Sequence, residues 1–356
     1  MTDISKIDQN FEVKSTIVRD GLCFYDARAL PFVISGLMFN GEVFHRMPSE
    51  IADNVSERVK ILNYQTAGGR VRFKTDSKTV AIEVKYNGVS KMPHFAFSGS
   101  IGFDLYADNV YVNTYMPSTG VTDTLESKLT IEGESKMREI TINFPLYSGV
   151  GEMLIGLDEG AMIEAPTPYI NEKPVVYYGS SITQGGCASR PGTCYQAYVS
   201  REFNLDYVNL GFAGAAKAED LMIEYIKGLD MSIFVYDYDH NASTIDYLIA
   251  THQKMFCAIR ETHPTIPIII MSRPKANRNE DDQRRLEIIK ATYEQAKSGG
   301  DENVYFLGGD ELTALCGNEG TVDNCHPTDF GFASMAHALI SLIKAAGLTK
   351  KIKQDF

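Results

Sequence analysis

The chain has 356 residues, of which 44% are hydrophobic and 22% charged, and its formal net charge is −12 at pH 7. Such a length and composition are typical of a globular protein with two domains and ample core. The negative charge argues against a surface that follows nucleic-acid phosphates and against a polybasic membrane patch. It favours neutral or cationic small molecules as ligands over polyanions.

The start of the chain predicts no export signal, because residues 1–6 are polar and acidic and contain no apolar core. No run of about 18 apolar residues is present, so we expect no membrane-spanning helix. Six cysteines show neither a C-x-x-C pair nor a zinc-ligand spacing: Cys23, Cys187, Cys194, Cys257, Cys316 and Cys325. These features together predict a cytoplasmic protein with reduced thiols.

Short β-rich runs separated by turns fill residues 14–165, and several of them alternate apolar and polar residues. The runs are 21–25, 71–74, 80–86, 110–113 and 139–144. This period of two and the regular spacing predict an all-β sandwich domain over residues 1–165. Three prolines then fall within 165–174, which predicts a stiff, extended linker at 166–174.

Strands and helices alternate after the linker. The predicted strands are 175–178, 207–210, 233–238, 266–271 and 304–307. The predicted helices include 218–228, 244–261 and 281–298. This βαβ rhythm predicts a doubly wound α/β domain over 175–350, with a parallel sheet covered on both faces.

Two motifs in this second domain carry the groups of a serine hydrolase. Ser181 follows the first predicted strand at the point where the chain turns into a helix, which is where an α/β sheet exposes a nucleophile. Asp323 precedes His326 by three residues, just ahead of the last helix. Serine is a poor nucleophile at neutral pH, so it needs a base to take its proton and an acid to orient that base.

Two further strand ends could supply donors to a developing oxyanion. The loop of Gly214 follows the second strand and can offer a backbone N–H, and Asn241 follows the third strand and can offer its side-chain amide. The carboxyl ends of parallel strands face one crevice, so these loops are expected to converge on Ser181. The backbone N–H of Ser181 would be the third donor.

At these four positions the chain resembles the SGNH (GDSL-like) hydrolases, whose sequence blocks carry Ser, Gly, Asn and His in that order. The resemblance implies Ser181 as nucleophile, Gly214 and Asn241 in the oxyanion hole, and Asp323 with His326 in the D-x-x-H-P block. Two departures stand out. The usual Gly-Asp-Ser is Gly-Ser-Ser at 179–181, and the usual Gly-x-Asn-Asp is Asp-His-Asn-Ala at 239–242.

The first half resembles the β-sandwich domain named for a G-x-D-L-Y motif, which is present here as residues 102–106. That domain precedes a branch of SGNH esterases similar to carbohydrate O-acetylesterases. The pairing implies a jelly-roll-like sandwich followed by a flavodoxin-like SGNH hydrolase domain, and acetylated sugars as substrates. The missing export signal then favours small acetylated oligosaccharides that are met after import.

Each of these residues also has a plainer interpretation. Ser181 could be a helix-capping serine, and Gly214 could be a glycine that a turn requires at positive φ, a role compatible with the oxyanion hole. Asn241 shares its strand end with Asp239 and His240, which could be structural or bind something. A metal site is the rival chemistry, but no ligand spacing supports it. Its candidate ligands are Asp237, Asp239, His240 and His252.

Three polar residues just past strand ends or the nucleophile are weaker candidates for substrate contact: Gln184, Arg190 and Arg273. Cys187 and Cys194 flank the loop after Ser181 and could pair, although free thiols are favoured. We therefore expect a carboxylic ester hydrolase that acts through Ser181, His326 and Asp323 without a metal or cofactor. The sandwich could form a wall of the active site, or serve as a contact in a homo-oligomer.

Two other functions use the same sequence features. A thioesterase or lysophospholipase would employ the same three catalytic groups, together with an apolar acyl groove that a sequence cannot display. A catalytically silent sugar-binding protein would have no reason to keep Ser181, Asp323 and His326 in order. Small acyl esters, and acetyl esters of carbohydrates above all, remain the favoured substrates.

Overall fold

The computed structural model describes residues 17–349. The polar segment 1–6 and the outer ends of the two predicted domains, residues 1–16 and 350, lie outside these residues. No helix in the described range is long and apolar enough to cross a membrane.

Strands dominate the first half of the described chain. They are β1 (Ile17–Arg19), β2 (Leu22–Asp26), β3 (Val33–Ser35), β4 (Met38–Phe39), β5 (Phe44–His45), β6 (Arg70–Thr75), β7 (Thr79–Tyr86), β8 (Phe103–Ala107), β9 (Val110–Tyr115), β10 (Thr124–Thr130), β11 (Arg138–Asn143), β12 (Val150–Asp158) and β13 (Ile163–Glu164). The five predicted β-rich runs all overlap strands of this set.

Two antiparallel sheets contain all of these strands except β4 and β5, which pair with each other. One has the order β1-β2-β12-β7-β10, and the other has the order β13-β6-β11-β8-β9 with β3 paired to β6. Inward-facing residues of both sheets, such as Ile82 and Ile155 from the first and Phe73, Phe103 and Ile142 from the second, pack into one hydrophobic core. Alternation along each strand sends every second side chain into this core.

Three helices interrupt the strands and were not predicted: α1 (Ser49–Val55), α2 (Glu57–Asn63) and α3 (Phe97–Ser100). Ser56 caps α2 by accepting a hydrogen bond from the Val59 N–H, at 3.2 Å. Helices α1 and α2 are seven residues each. Seven residues make about two turns, so only the apolar residues of the two helices taken together show a helical spacing.

The second half alternates strands and helices as predicted. Its strands are β14 (Val175–Gly179), β15 (Tyr207–Gly211), β16 (Ile233–Asp237), β17 (Ile268–Met271) and β18 (Val304–Leu307). Its helices are α4 (Ser181–Gln184), α5 (Tyr195–Phe203), α6 (Asp220–Lys227), α7 (Ile245–Thr262), α8 (Glu280–Ser298), α9 (Gly309–Leu312) and α10 (Asp329–Ala345). All neighbouring strands are parallel, in the order β15-β14-β16-β17-β18. The prediction of a parallel α/β sheet is confirmed.

Each face of the parallel sheet has its own hydrophobic core. Val175 and Tyr177 of β14 face the helices α5 and α10, while Val176 and Tyr178 face α6, α7 and α8. Both cores also contain residues from the first half of the chain. Ala67, Phe95, Leu146 and Tyr147 enter one core, and Met47, Ala52, Val59 and Leu62 enter the other. The two halves therefore pack as one unit.

The proline-rich segment 166–174 is fastened along its length. The Ile170 N–H donates to the Asn204 carbonyl at 3.0 Å, and the Asn171 amide donates to the Asp206 carbonyl at the same distance. Arg72 of β6 reaches the Thr167 carbonyl at 3.0 Å. The segment thus packs against both halves of the molecule instead of acting as a free spacer.

Candidate active site

Ser181 lies at the carboxyl end of β14, as the first residue of α4. The preceding Ser180 is buried and caps the helix, since its hydroxyl accepts a hydrogen bond from the Ile182 N–H at 3.2 Å. The capping role considered for Ser181 therefore belongs to its neighbour. The Ser181 side chain is left partly exposed at the sheet edge, where a substrate can reach it.

The turn before Ser181 leaves no room for a side chain at Gly179. A Cβ there would collide with the Asp237 carboxyl and the Thr183 hydroxyl. These two groups are hydrogen-bonded to each other beneath the turn. Burial raises the pKa of Asp237 to about 8, although hydrogen bonds from Thr183 and the Ser180 backbone act in the opposite direction.

A chain of hydrogen bonds joins Ser181 to His326 and Asp323. The Ser181 Oγ is 2.9 Å from His326 Nε2, and His326 Nδ1 is 2.8 Å from Asp323 Oδ2. The other Asp323 oxygen accepts the backbone N–H of His326 at 2.7 Å. This arrangement leaves Nε2 free to take the serine proton while the carboxylate fixes the ring.

The loop that carries His326 is itself held in place. The Val322 N–H donates to the His326 carbonyl, and the Cys187 N–H donates to the Pro327 carbonyl. Partial burial raises the pKa of Asp323, but the hydrogen bonds from the His326 backbone and ring outweigh it, so the pKa is below its ordinary value. Asp323 is therefore an anion at neutral pH, as an orienting group must be.

Gly214 belongs to the loop 212–214, and Asn241 contacts the same loop. Gly214 has φ of 70°, a left-handed conformation that favours glycine. The Asn241 side-chain amide donates to the Phe212 carbonyl at 3.0 Å. One of its two N–H groups is thereby used to hold the loop, and the second is available to a ligand. Their oxyanion role stays a prediction.

Gln184 is fully buried and joins three segments around the nucleophile turn. Its side-chain oxygen accepts the Ala213 N–H at 3.0 Å, and its side-chain nitrogen donates to Gln65 at 2.5 Å and to the Leu146 carbonyl at 3.3 Å. Gln184 does not line the cavity beside Ser181. These contacts position the loop of Ala213. They give no support to the prediction that Gln184 contacts the substrate.

Arg190 faces the G-x-D-L-Y motif. Its guanidinium stacks on Tyr111 at 4.0 Å from the ring centre and lies 3.7 Å from the buried Asp104 carboxylate. Asp104 also accepts the Gly192 N–H at 2.7 Å. The motif thus docks the first half of the chain onto the loop after α4, and Arg190 belongs to that contact, away from the cavity.

Arg273 has two buried acidic partners, Asp239 at 3.0 Å and Asp282 at 2.6 Å. Arg273 likewise does not line the cavity. His252 Nδ1 is hydrogen-bonded to the Thr292 hydroxyl at 2.8 Å, and His252 does not form a metal site with Asp239. The rival metal set of the sequence analysis is therefore not assembled.

One other group could hold a cation in residues 17–349. His94, Cys187 and His326 each offer a ligand atom, and these atoms lie within 4.8 Å of one another. Burial raises the pKa of Cys187 to about 12, so a cation bound there would have to displace the thiol proton. His326 is already bonded to Ser181. The six cysteines, including Cys187 and Cys194, are free.

A cavity of about 330 Å³ opens beside Ser181 and His326, and most of its wall comes from the first half of the chain. Its lining consists of Arg58, Ile61, Leu62, Gln65, Ser90, Met92, His94, Phe95, Tyr147, Ser181, Gly186, Cys187, Ala213 and His326. The Tyr147 hydroxyl donates to the Ser181 carbonyl at 3.1 Å. The first half therefore forms a wall of the site, one of the roles considered for it.

Two family models match the chain in succession. Residues 22–163 match the GxDLY domain, the N-terminus of SGNH-type esterases, and residues 172–344 match the GDSL-like lipase/acylhydrolase family. The chain is a GDSL-like hydrolase. It belongs to the SGNH group with an N-terminal GxDLY domain, and it is a carboxylic ester hydrolase.

Solved structures similar to this GDSL-like hydrolase extend over both halves. A protein of Bacteroides ovatus described as a GDSL-like lipase is 27% identical, with a TM-score of 0.81, and the match covers 91% of this chain and 98% of the other. The salicylyl-acyltransferase SsfX3 of a tetracycline biosynthetic pathway is 20% identical, with a TM-score of 0.75 and coverage of 93% and 99%.

A family two carbohydrate esterase of Clostridium thermocellum, solved with cellohexaose, is 14% identical, with a TM-score of 0.61 and coverage of 89% and 99%. At this identity, and at that of the acyltransferase, the likeness shows the shared fold alone. No match was found among curated protein sequences.

The sequence analysis missed the part of the GDSL-like hydrolase site that comes from the first half. Arg58 and Gln65 lie on and just after α2, and His94 and Tyr147 lie in loops between strands. The apolar spacing of Ile51, Val55, Val59 and Leu62 fits a helical face and could have revealed α1 and α2. Nothing in the sequence indicates that the loops reach Ser181.

Proposed function

We propose that this GDSL-like hydrolase is a serine esterase that removes small acyl groups, acetyl above all, from carbohydrates. The observation that carries the proposal is the continuous hydrogen bonding from Ser181 Oγ through His326 to Asp323, at 2.9 and 2.8 Å. A base within hydrogen-bond reach of the hydroxyl, itself oriented by a carboxylate, is the arrangement that activates serine.

In the proposed mechanism, Ser181 Oγ attacks the ester carbonyl as His326 Nε2 takes its proton. The Gly214 and Ser181 N–H groups and the Asn241 amide stabilise the oxyanion of the tetrahedral intermediate. The intermediate collapses when His326 gives the proton to the leaving alcohol, and an acyl-enzyme remains. Water, deprotonated by His326, then releases the acid and restores Ser181.

The size of the cavity supports the proposal of a small acyl group. Its volume of about 330 Å³ is at the lower end of the range for small-molecule pockets, about 300–1,000 Å³. Space of this size suits one sugar residue and a short acyl group, whereas a long acyl chain needs an extended groove. The carbohydrate esterase fold of the Clostridium thermocellum neighbour is compatible with a sugar as the alcohol.

The two sheets of the first half share one core, which supports the proposal that this half is a jelly-roll-like sandwich.

A series of 4-nitrophenyl esters of increasing acyl length tests the acyl preference. Acetylated oligosaccharides test whether a carbohydrate serves as the alcohol. We expect kcat/KM to be highest for acetyl and to fall toward octanoyl, and acetate to be released at neutral pH with or without a chelator. A steady rise toward octanoyl would instead favour the lipase or thioesterase alternative. No hydrolysis of any ester would favour the silent sugar-binding protein.

A further inference from the structure

The charge of the cavity differs from that of the whole chain. The chain has 46 aspartates and glutamates against 34 lysines and arginines. Among residues 17–349, those that line the cavity nevertheless include no aspartate or glutamate, and they include one arginine, Arg58, together with His94 and His326. A negatively charged ligand therefore meets no carboxylate in the wall itself. The Asp323 carboxylate lies behind His326, bonded to the ring nitrogen that faces away from Ser181.

Arg58 has no ion pair or hydrogen bond within the described range 17–349. Its side chain is exposed on α2, at the cavity wall. By contrast, Lys60 on the same helix lies 3.6 Å from Asp53, and Arg46, Arg190 and Arg273 are all engaged. The guanidinium of Arg58 thus keeps its five N–H donors for a ligand.

The charge of Arg58 reaches the nucleophile region. Burial is the main influence on the Tyr147 phenol and raises its pKa, and the positive charges of Arg46 and Arg58 act in the opposite direction. Tyr147 in turn donates to the Ser181 carbonyl. Arg58, Tyr147 and the candidate nucleophile Ser181 therefore all line the same cavity.

We propose that Arg58 binds a carboxylate on the alcohol half of the substrate, so that the preferred substrate is the acetyl ester of an acidic sugar, a uronic acid. This rests on the proposed function, because an acetyl group is uncharged and any negative charge must then belong to the sugar. A guanidinium binds a carboxylate through two parallel hydrogen bonds, which fix orientation as well as adding affinity.

The net charge of the chain does not oppose this recognition at short range. At physiological ionic strength exposed charges are screened beyond about 8 Å, so remote carboxylates act weakly on a ligand inside the cavity. An unpaired guanidinium in direct contact acts strongly. The overall charge indicates neutral or cationic ligands, but the lining of the cavity decides which ligand binds there.

The experiment measures acetate release from an O-acetylated galacturonate oligomer and from its methyl ester, which keeps the acetyl group and the shape but loses the charge. For the wild-type protein we expect kcat/KM to be about tenfold higher for the acid, mainly through a lower KM. Arg58→Gln should reduce that ratio toward one. Arg58→Lys, which keeps the charge without the planar fork, should give an intermediate ratio.

Lys60→Gln is the matched control, since it removes a cation from the same helix that does not line the cavity, and it should keep the wild-type ratio. Equal turnover of the two substrates by the wild-type protein, or an unchanged ratio in Arg58→Gln, would overturn the inference while leaving the esterase proposal intact. Release of acetate from neither substrate would overturn both.

Discussion

The Asn241 side chain has two N–H groups and one visible partner, the Phe212 carbonyl at 3.0 Å. If the second N–H stabilises the oxyanion, Asn241→Ala should lower kcat by about 10²–10³-fold with little change in KM, because the interaction forms only in the transition state. Steady-state kinetics with an acetyl ester measures this split.

Asn241→Asp keeps the size of the side chain but cannot donate, so it should lose activity to a similar degree. Full activity in Asn241→Asp, or a loss confined to KM, would mean that Asn241 binds the ground state or only holds the loop.

The buried Asp237 carboxyl gives folding a pH dependence. Burial raises its pKa to about 8 in the folded protein, whereas an aspartate in an unfolded chain ionises near pH 4. Between these values the folded state holds a proton that the unfolded chain has released. The free energy of unfolding should therefore fall as pH rises through this window, by up to about 1.4 kcal/mol per pH unit.

Asp237→Asn cannot ionise and should lack this contribution. Relative to wild type, the variant should become more stable on going from pH 5.5 to pH 8, as measured by urea unfolding at both values. If the free energies of unfolding of the two proteins change equally between pH 5.5 and pH 8, Asp237 is already ionised in the folded state.

At the scale of elements, the loop after α4 is held against β8 by a close approach of backbone and side chain. A Cβ on Gly192 would lie 2.5 Å from the Tyr106 hydroxyl and 2.7 Å from the Asp104 carboxylate. Gly192→Ala should therefore push the loop from the G-x-D-L-Y motif and cost about 1–3 kcal/mol of stability, as overpacking does. Chemical denaturation measures this cost.

Gly120→Ala is the control for that substitution, since its Cβ would meet only the Ser118 hydroxyl, at 4.0 Å. It should be close to neutral. Equal stability of Gly192→Ala and wild type would show that the loop can move away from the motif without loss.

At the scale of the whole molecule, the first half packs with the second half as one unit and helps to form the candidate active site. It supplies residues to both cores of the parallel sheet, and the buried Arg46 donates to carbonyls of β15 and α2. Most of the cavity wall comes from it as well. A hydrolase domain alone would lack much of its pocket.

The sequence predicted the parallel sheet and the order of its strands along the chain, because buried parallel strands are continuous apolar runs separated by helices. It also pointed to Ser181, Asp323 and His326, since they lie in short motifs at strand ends. It could not assign Gln184, Arg190 or Arg273, because each has a partner distant in sequence, namely Gln65, Asp104 and Asp239. Arg58 was missed for the same reason, because its place in the site depends on how the two halves pack.

The nucleophile is the claim on which the account depends, and a fluorophosphonate probe tests it most directly. Such a probe reacts with an activated serine, and mass spectrometry of the labelled peptide distinguishes Ser181 from Ser180. We expect label on Ser181 alone, no label in Ser181→Ala, and continued labelling in Ser180→Ala despite the loss of about 1 kcal/mol for the helix cap. Label on Ser180, or label that persists in Ser181→Ala, would contradict the account.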